Sequence, residues 1–331
     1  MIKIISVEYF KKECNTNNHN EYFPVEILDE NKIKIDKKWF NKLTYKTKKR
    51  LHAFISKYEL DNLKFPHNNY KSLNESQLKL WYNIYHCYLQ QYDFTEYADF
   101  YNKDYVKIDI SKNNLAILHK VCKVVISTNT STSWINTQFE DLSEEFILQI
   151  INGLKKYDNY CFIKTNKTSG KNEISLTPKS TYLDVLNHLT NCKEYYIHFN
   201  RALDKYKLGD TENLIISKWR DDFDKYREFR VIILDGKIKG ISQQLWYEKI
   251  IYSEEEILKI SNAIIEFFNQ NKFYVPDMTV DINVNIKYHV DLIECNPGGL
   301  YSSSGSSLFH WINDYDKLYD NTDITYFIKY N

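Results

Sequence analysis

The spacing of apolar positions divides the chain into two regimes. Over the first hundred or so residues it is mostly helical. Asn74-Glu75-Ser76-Gln77 opens a predicted helix through Leu78, Leu80, Tyr82, Ile84, Tyr85 and Leu89, with apolar side chains around much of its circumference, as in a packed helix. From about Leu115 strand and helix patterns alternate. Val121 to Ser127 predicts a buried strand, Ser143-Glu144-Glu145-Phe146 a capped start to a helix reaching about Lys156, and Tyr160 to Thr165 a short strand.

The clearest local prediction is a hairpin from Arg227 to Gln244, in which Asp235-Gly236 separates two β-branched runs as a two-residue turn requires. With Leu234 opposite Lys237, Glu228 falls opposite Gln243 and Arg230 opposite Ile241. Alternation then puts Phe229, Val231, Ile233 and Ile238 on a core face, and Glu228, Arg230 and Gln243 on a face free to line a site. Ser253-Glu254-Glu255-Glu256 caps a helix through Ile257, Ile260, Ile264 and Phe267. A second hairpin follows, with arms near Met278 to Val284 and Lys287 to Asn296 and a stop at Pro297-Gly298-Gly299.

On its last arm Glu294 and Asn296 are two apart and leave the same face, while Asp281 interrupts the apolar partner arm between Val280 and Ile282. Three such oxygen donors suit Mg²⁺, which takes octahedral oxygen ligands at roughly 2.0–2.1 Å. A hydrated acidic rim is the competing reading. A two-residue turn at Asn285-Ile286 places Asp281 opposite Val290, on the face of Glu294 and Asn296, with Asp277 as a reserve ligand. A turn centred on Ile286 places it opposite Asp291, on the wrong face unless a bulge restores the parity. The sequence leaves both registers open.

Lys164, at a strand end, offers an ammonium suited to polyphosphate oxygens, against the plain reading of a solvated lysine. Arg230 offers a guanidinium fork for phosphate, against a simple surface pair with Glu228. The apolar strand Leu214-Ile215-Ile216-Ser217-Lys218-Trp219 turns polar at its end, the kind of segment that flanks an adenine, and reads equally well as core.

A length of 331 residues exceeds the usual single core and predicts two lobes with a cleft. The 44 basic residues cancel 44 acidic ones, which argues against a nucleic-acid or anionic-membrane partner. Cys14, Cys87, Cys122, Cys161, Cys192 and Cys295 are far apart without metal-site spacing and read as reduced thiols. Met1 to Val7 lacks the apolar core of a signal peptide, and no apolar run approaches the ~20 residues of a membrane span, so a cytosolic location is expected.

Taken in order, Leu214-Ile215-Ile216-Ser217-Lys218-Trp219-Arg220-Asp221, Glu228-Phe229-Arg230 and Gly240-Ile241-Ser242-Gln243 resemble the central signature of the cell division cycle protein 123 family. Leu292-Ile293-Glu294-Cys295-Asn296-Pro297 and Ser307-Leu308-Phe309-His310-Trp311 resemble its closing motifs. The likeness spans about Val121 to Trp311. It implies an α/β (α+β) ATP-grasp fold, two lobes with antiparallel sheets enclosing a nucleotide cleft. A mainly helical region over 1–110 would precede an N-terminal lobe over 111–212 and a metal-bearing C-terminal lobe over 213–331.

The resemblance also implies Mg-ATP as ligand and a role in assembling eukaryotic translation initiation factor 2 through its gamma subunit. On it, Asp281, Glu294 and Asn296 fall on metal positions and Lys164 on a phosphate-contacting lysine. Ile216, Ser217, Lys218 and Trp219 fall beside the base, and Glu228, Arg230 and Gln243 on site-lining positions. Arg230 and Lys164 are the candidate catalytic groups if phosphate is transferred. In two places the chain departs from the family. The family's earlier Lys-x-Asn-Trp-x-x-Pro-Lys-Asp strand corresponds to Val125 to Ser131, where Asn129 is kept but Ser127 replaces the lysine, and Glu294 stands where aspartate is usual.

Three function classes remain. An ATP-binding assembly factor leads. An ATP-grasp ligase, forming an acyl phosphate and joining a carboxylate to an amine, would use the same cations and metal with a second substrate pocket. An ATP-dependent nucleic-acid ligase is disfavoured by the neutral charge.

Overall fold

This computed structural model describes residues 2–6, 25–27, 32–54, 57–61, 74–128, 132–170, 177–205, 212–245, 248, 252–299, 305, 307–311, 313–320 and 326–330. The elements of the first half are β1 (Ile2–Ser6), β2 (Val25–Ile27), β3 (Lys32–Asp36), α1 (Lys37–Lys42), α2 (Tyr45–Phe54), β4 (Lys57–Asp61), α3 (Glu75–Gln90), α4 (Phe94–Phe100), β5 (Val106–Ile110), α5 (Lys112–Ser127), α6 (Thr132–Phe139) and α7 (Glu144–Lys155). Those of the second are β6 (Cys161–Thr165), α8 (Tyr182–Thr190), α9 (Lys193–Lys205), β7 (Glu212–Lys218), β8 (Glu228–Leu234), β9 (Lys237–Gln243), α10 (Glu254–Gln270), β10 (Met278–Val284), β11 (Val290–Pro297) and β12 (Tyr326–Tyr330). Packing divides the chain into one unit of Met1–Tyr97 with Asp222–Asn331 and another of Ala98–Asp221.

The first unit centres on a six-stranded mixed sheet in the order β1-β12-β9-β8-β10-β11. The β8–β9 turn forms where expected, with Asp235 at φ 52° and Gly236 at φ 68°, the left-handed pair a tight hairpin turn needs. Leu234 pairs with Lys237, but Ile232 then pairs with Gly240 and Ile233 with Ile238, leaving Lys239 bulged. That extra residue corrects the uninterrupted register: Arg230 lies opposite Ser242, not Ile241, and Gln243 opposite Phe229, not Glu228. Gln243 thus joins the face of Phe229, where its buried amide donates to the carbonyls of Leu245 (2.5 Å) and Glu248 (2.8 Å).

The β10–β11 connection is neither turn considered from sequence. Val284 pairs with Val290 across a five-residue loop that the Asn285 N–H closes on the His289 carbonyl at 3.0 Å. α10 buries Ile257, Ile260, Ile264 and Phe268, and it packs on β10 and β11. The residues before Tyr97 also carry strands: β2, β3 and β4 form a small sheet whose Ile33 and Ile35 pack with Trp39, Ile84 and Tyr88.

In the second unit β5, β7 and β6 form an antiparallel sheet. Ile108, Ile110, Cys161, Ile163, Leu214 and Ile216 turn one face of it toward helical residues such as Leu115, Phe146 and Val185. Here the expected strand at Val121 to Ser127 is instead the last two turns of α5. Ser111 caps that helix, and Leu115, Leu118, Val121 and Cys122 form a buried stripe at helical spacing, so packing overrides the β-branched composition of Val124-Val125-Ile126.

Candidate functional site

One crosswise row of the large sheet is polar on five successive strands. Lys329 pairs with Ser242, Ser242 with Arg230, Arg230 with Asp281, and Asp281 with Glu294. Paired residues share a face, so these side chains stand side by side. Asn296, across from Thr279, lies two residues beyond Glu294 on the same face. Asp281 reaches Glu294 through a bulge: Ile282 pairs with Leu292, and Ile293 is left without a partner.

Arg230 grips Asp281 bidentately, Nε donating to Oδ1 at 2.7 Å and Nη2 to Oδ2 at 2.6 Å, while Nη1 donates to the Gly305 carbonyl at 2.6 Å. Asp281 is 2% exposed and Arg230 9%. Burial pushes the Asp281 carboxyl above its ordinary range, with Glu294 adding to the rise and Arg230 opposing it. Arg230 therefore faces Asp281 directly, with the Glu294 carboxyl next along the row.

Asn296 donates from Nδ2 to Glu294 Oε1 at 3.0 Å, so its carbonyl Oδ1 is the atom that could serve as a further oxygen ligand. Among the described residues no three of His, Cys, Asp or Glu are grouped to hold a metal. The candidate set is two carboxylates and an amide. Its all-oxygen chemistry fits a hard divalent cation, with Glu294 and Asn296 half-buried and Asp281 anchored behind them by Arg230. Glu228 is half-buried on the face of Arg230, and Asp277 is engaged elsewhere, pairing with Lys42 at 2.6 Å.

Lys164, Ser217 and Trp219 belong to the second unit. Lys164 pairs with Ile215 and Phe162 with Ser217, so Lys164, Phe162 and Ser217 occupy the sheet face opposite the helical core. Trp219 continues that parity, its ring centroid 6.5 Å from that of Phe162. Ile216 instead points into the helical core, and Lys218 shares that parity at the exposed strand end, so either would meet a ligand on the Lys164 face through backbone alone.

Ser127 ends α5, donating its hydroxyl to the Lys123 carbonyl, so it replaces no strand lysine. A Lys-x-Asn pattern instead closes β6 as Lys164-Thr165-Asn166. Sequence reasoning passed over Ser242 and Phe162, whose faces only the bulge and the ladder reveal. It also missed Tyr97, whose buried hydroxyl is pushed well above its ordinary value beside Cys295 and Glu294.

The architecture is mixed α/β, with a carboxylate-bearing antiparallel hairpin at one side of the large sheet. The D123 family model matches residues 127–324, and the chain belongs to that family. A translation initiation factor eIF2 assembly protein of Dictyostelium discoideum is 27% identical over 194 residues, covering 53% of this chain and 47% of that protein. The match thus spans less than half of that relative. C-terminally truncated Cdc123 from Schizosaccharomyces pombe has the same fold, with a TM-score of 0.55 at 17% identity over 73% of this chain and 96% of that one. A second structure of Cdc123 from Schizosaccharomyces pombe gives 0.54 at 17% identity over the same shares. No helix among the described residues is long and apolar enough to cross a membrane, and Cys87, Cys122, Cys161, Cys192 and Cys295 are buried, reduced cysteines. Cys14 lies outside the described residues.

Proposed function

We propose that this chain binds Mg-ATP and acts in the cytoplasm as an assembly factor for eukaryotic translation initiation factor 2, through its gamma subunit. The observation that carries the first half is the placement of Asp281 against Glu294 with Asn296 alongside. Bound there, magnesium would screen phosphate charge. Glu294 and Asn296 supply the accessible oxygens, and Arg230 fixes the Asp281 carboxylate and offsets part of its charge. Taken by itself, the second unit carries a face with Lys164 suited to phosphate oxygens and Ser217 and Trp219 suited to a base. The second half rests on family membership and on the name of the Dictyostelium relative.

Calorimetry of ATP binding with and without magnesium tests the first half. Glu294→Ala, Asn296→Ala and Asp281→Ala should each weaken binding in magnesium, because each removes an oxygen donor or its anchor. Unchanged affinity in all three removes the metal site. Purified gamma subunit passed over the immobilised chain tests the second. Retention that survives nuclease treatment is expected, and failure to retain it while Mg-ATP still binds leaves the site and rejects the client.

A further inference from the structure

Among the described residues, β5 is an edge strand of the sheet of the second unit. Which of its backbone groups face outward can be derived from β7. Asn213 donates its N–H to Asn166 Oδ1 at 3.0 Å, and its carbonyl accepts the Asn166 N–H at 3.0 Å. Both main-chain groups of Asn213 are thus used on the β6 side. Its β5 partner Asp109 is therefore in a non-hydrogen-bonded pair, as is Lys107 opposite Ile215. The N–H and C=O groups of Lys107 and Asp109 all point away from β7, along the outer edge. Beside that edge runs a groove of about 770 Å³, lined by the whole of β5 and by α7 residues from Glu145, with Lys156 just beyond the helix end.

We infer that this edge is a self-association surface: two copies of the chain pair through antiparallel β5 strands, Lys107 of each opposite Asp109 of the other. A lone charged residue on an edge strand normally blocks such pairing, since a second copy meets it with like charge. Here the next outward-bonding residue carries the opposite charge. Lys107 and Asp109 share a face, are 47% and 74% exposed in their side chains, and bring ammonium and carboxylate within 3.7 Å. Two-fold pairing centred on Ile108 matches both outward residues in hydrogen-bonded positions with opposite charges. The registers that set Lys107 against Lys107, or Asp109 against Asp109, juxtapose like charges.

The flanking helix repeats the pattern. Glu145 lies in the first turn of α7 and Lys156 just past its end, and both line the groove. Gly153, whose added Cβ would come within 3.3 Å of Val106, places the Lys156 end beside the start of β5. A two-fold axis through Ile108 reverses the second helix, so the Lys156 end of one copy meets the Glu145 end of the other. Lys156 already pairs with Asp104 at 2.5 Å, so it is the β5 edge that supplies the self-complementarity an isologous interface requires. The inference is independent of the nucleotide reading.

Sedimentation equilibrium over a range of protein concentrations tests it. The unaltered chain should show a monomer–dimer equilibrium. Lys107→Asp and Asp109→Lys should each weaken dimerisation by roughly tenfold or more, because each places like charges opposite one another twice per interface. At concentrations low enough to keep the chain monomeric, Lys107→Asp should melt like the unaltered chain, whereas Asp109→Lys also loses the hydrogen bond that Asp109 Oδ1 accepts from Asn213 Nδ2 at 2.6 Å. Mixing the two variants should restore association as a heterodimer, and the double exchange Lys107→Asp/Asp109→Lys should restore the homodimer. A chain that stays monomeric throughout, or a dimer that survives both single reversals, overturns the inference.

Discussion

Asp281 stands directly across the ladder from Glu294, and it does so because Ile293 is left out of the pairing. Extended without interruption, the Val284–Val290 register would set Asp281 against Ile293 and turn Glu294 to the opposite face. One unpaired residue therefore decides whether the sheet carries two facing carboxylates or two separated ones. Bulges beside sites commonly re-aim side chains in this way.

Arg230 should be costly to remove. Its guanidinium is the charge that balances Asp281 at 2% exposure, so Arg230→Ala leaves a buried carboxylate beside Glu294. Breaking one partner of a buried pair costs about 3–5 kcal/mol, similar to truncating the neighbouring core residue Phe229. Urea denaturation without magnesium should show this loss for Arg230→Ala. The double variant Arg230→Ala/Asp281→Ala should lose less than the sum of its single variants. Strict additivity would mean that the two side chains are not coupled.

Gly298 follows the Asn296-Pro297 step, and its backbone passes so close to β10 that an added Cβ would stand 2.6 Å from the Met278 amide nitrogen and carbonyl carbon. Backbone cannot yield as a flexible side chain does, so Gly298→Ala must shift the strand end that carries Asn296. A loss of about 1–3 kcal/mol is expected, in the range of overpacking, together with weaker Mg-ATP binding. Gly236→Ala, which meets nothing within 4 Å, should cost only the strain of its positive φ and leave binding unchanged. Melting curves and calorimetry on both variants separate the two effects.

The local signals that were legible are those written in short-range chemistry. Asp235-Gly236 announced its turn, Ser143 and Ser253 their helix caps, and the two-residue spacing of Glu294 and Asn296 their common face. The bulges at Lys239 and Ile293 were not legible, because an extra residue leaves the alternation plausible on either side of it. Uninterrupted alternation therefore puts Gln243 on the wrong face and leaves the register of Asp281 open. The helix over Val121 to Ser127 is hidden from the local pattern for a different reason. Its β-branched residues favour a strand locally, and only the buried stripe that starts at Leu115 decides otherwise. Short strands between charged residues, such as β3, gave too little periodicity to register.

Stability should fall in mild acid because of His188. The ring lies 1% exposed on α8, with Nε2 3.2 Å from the Tyr195 hydroxyl. Burial first, and the nearby Lys179 ammonium second, depress its pKa from the ordinary 6.5 to about 4. Between those two values the unfolded chain binds a proton that the folded chain refuses. Stability from this group is therefore complete above about pH 6.5 and is lost as pH falls toward 4. From pH 7 to pH 5 the loss should be about 2 kcal/mol, given that each pKa unit is about 1.4 kcal/mol. His188→Gln keeps a polar partner for Tyr195 without a titrating ring, so its unfolding free energy should fall by about 2 kcal/mol less over the same interval. Denaturant titrations of both proteins at pH 7 and pH 5 measure the difference. Equal losses would show that the folded protein takes up the His188 proton as readily as the unfolded chain, and would overturn this account.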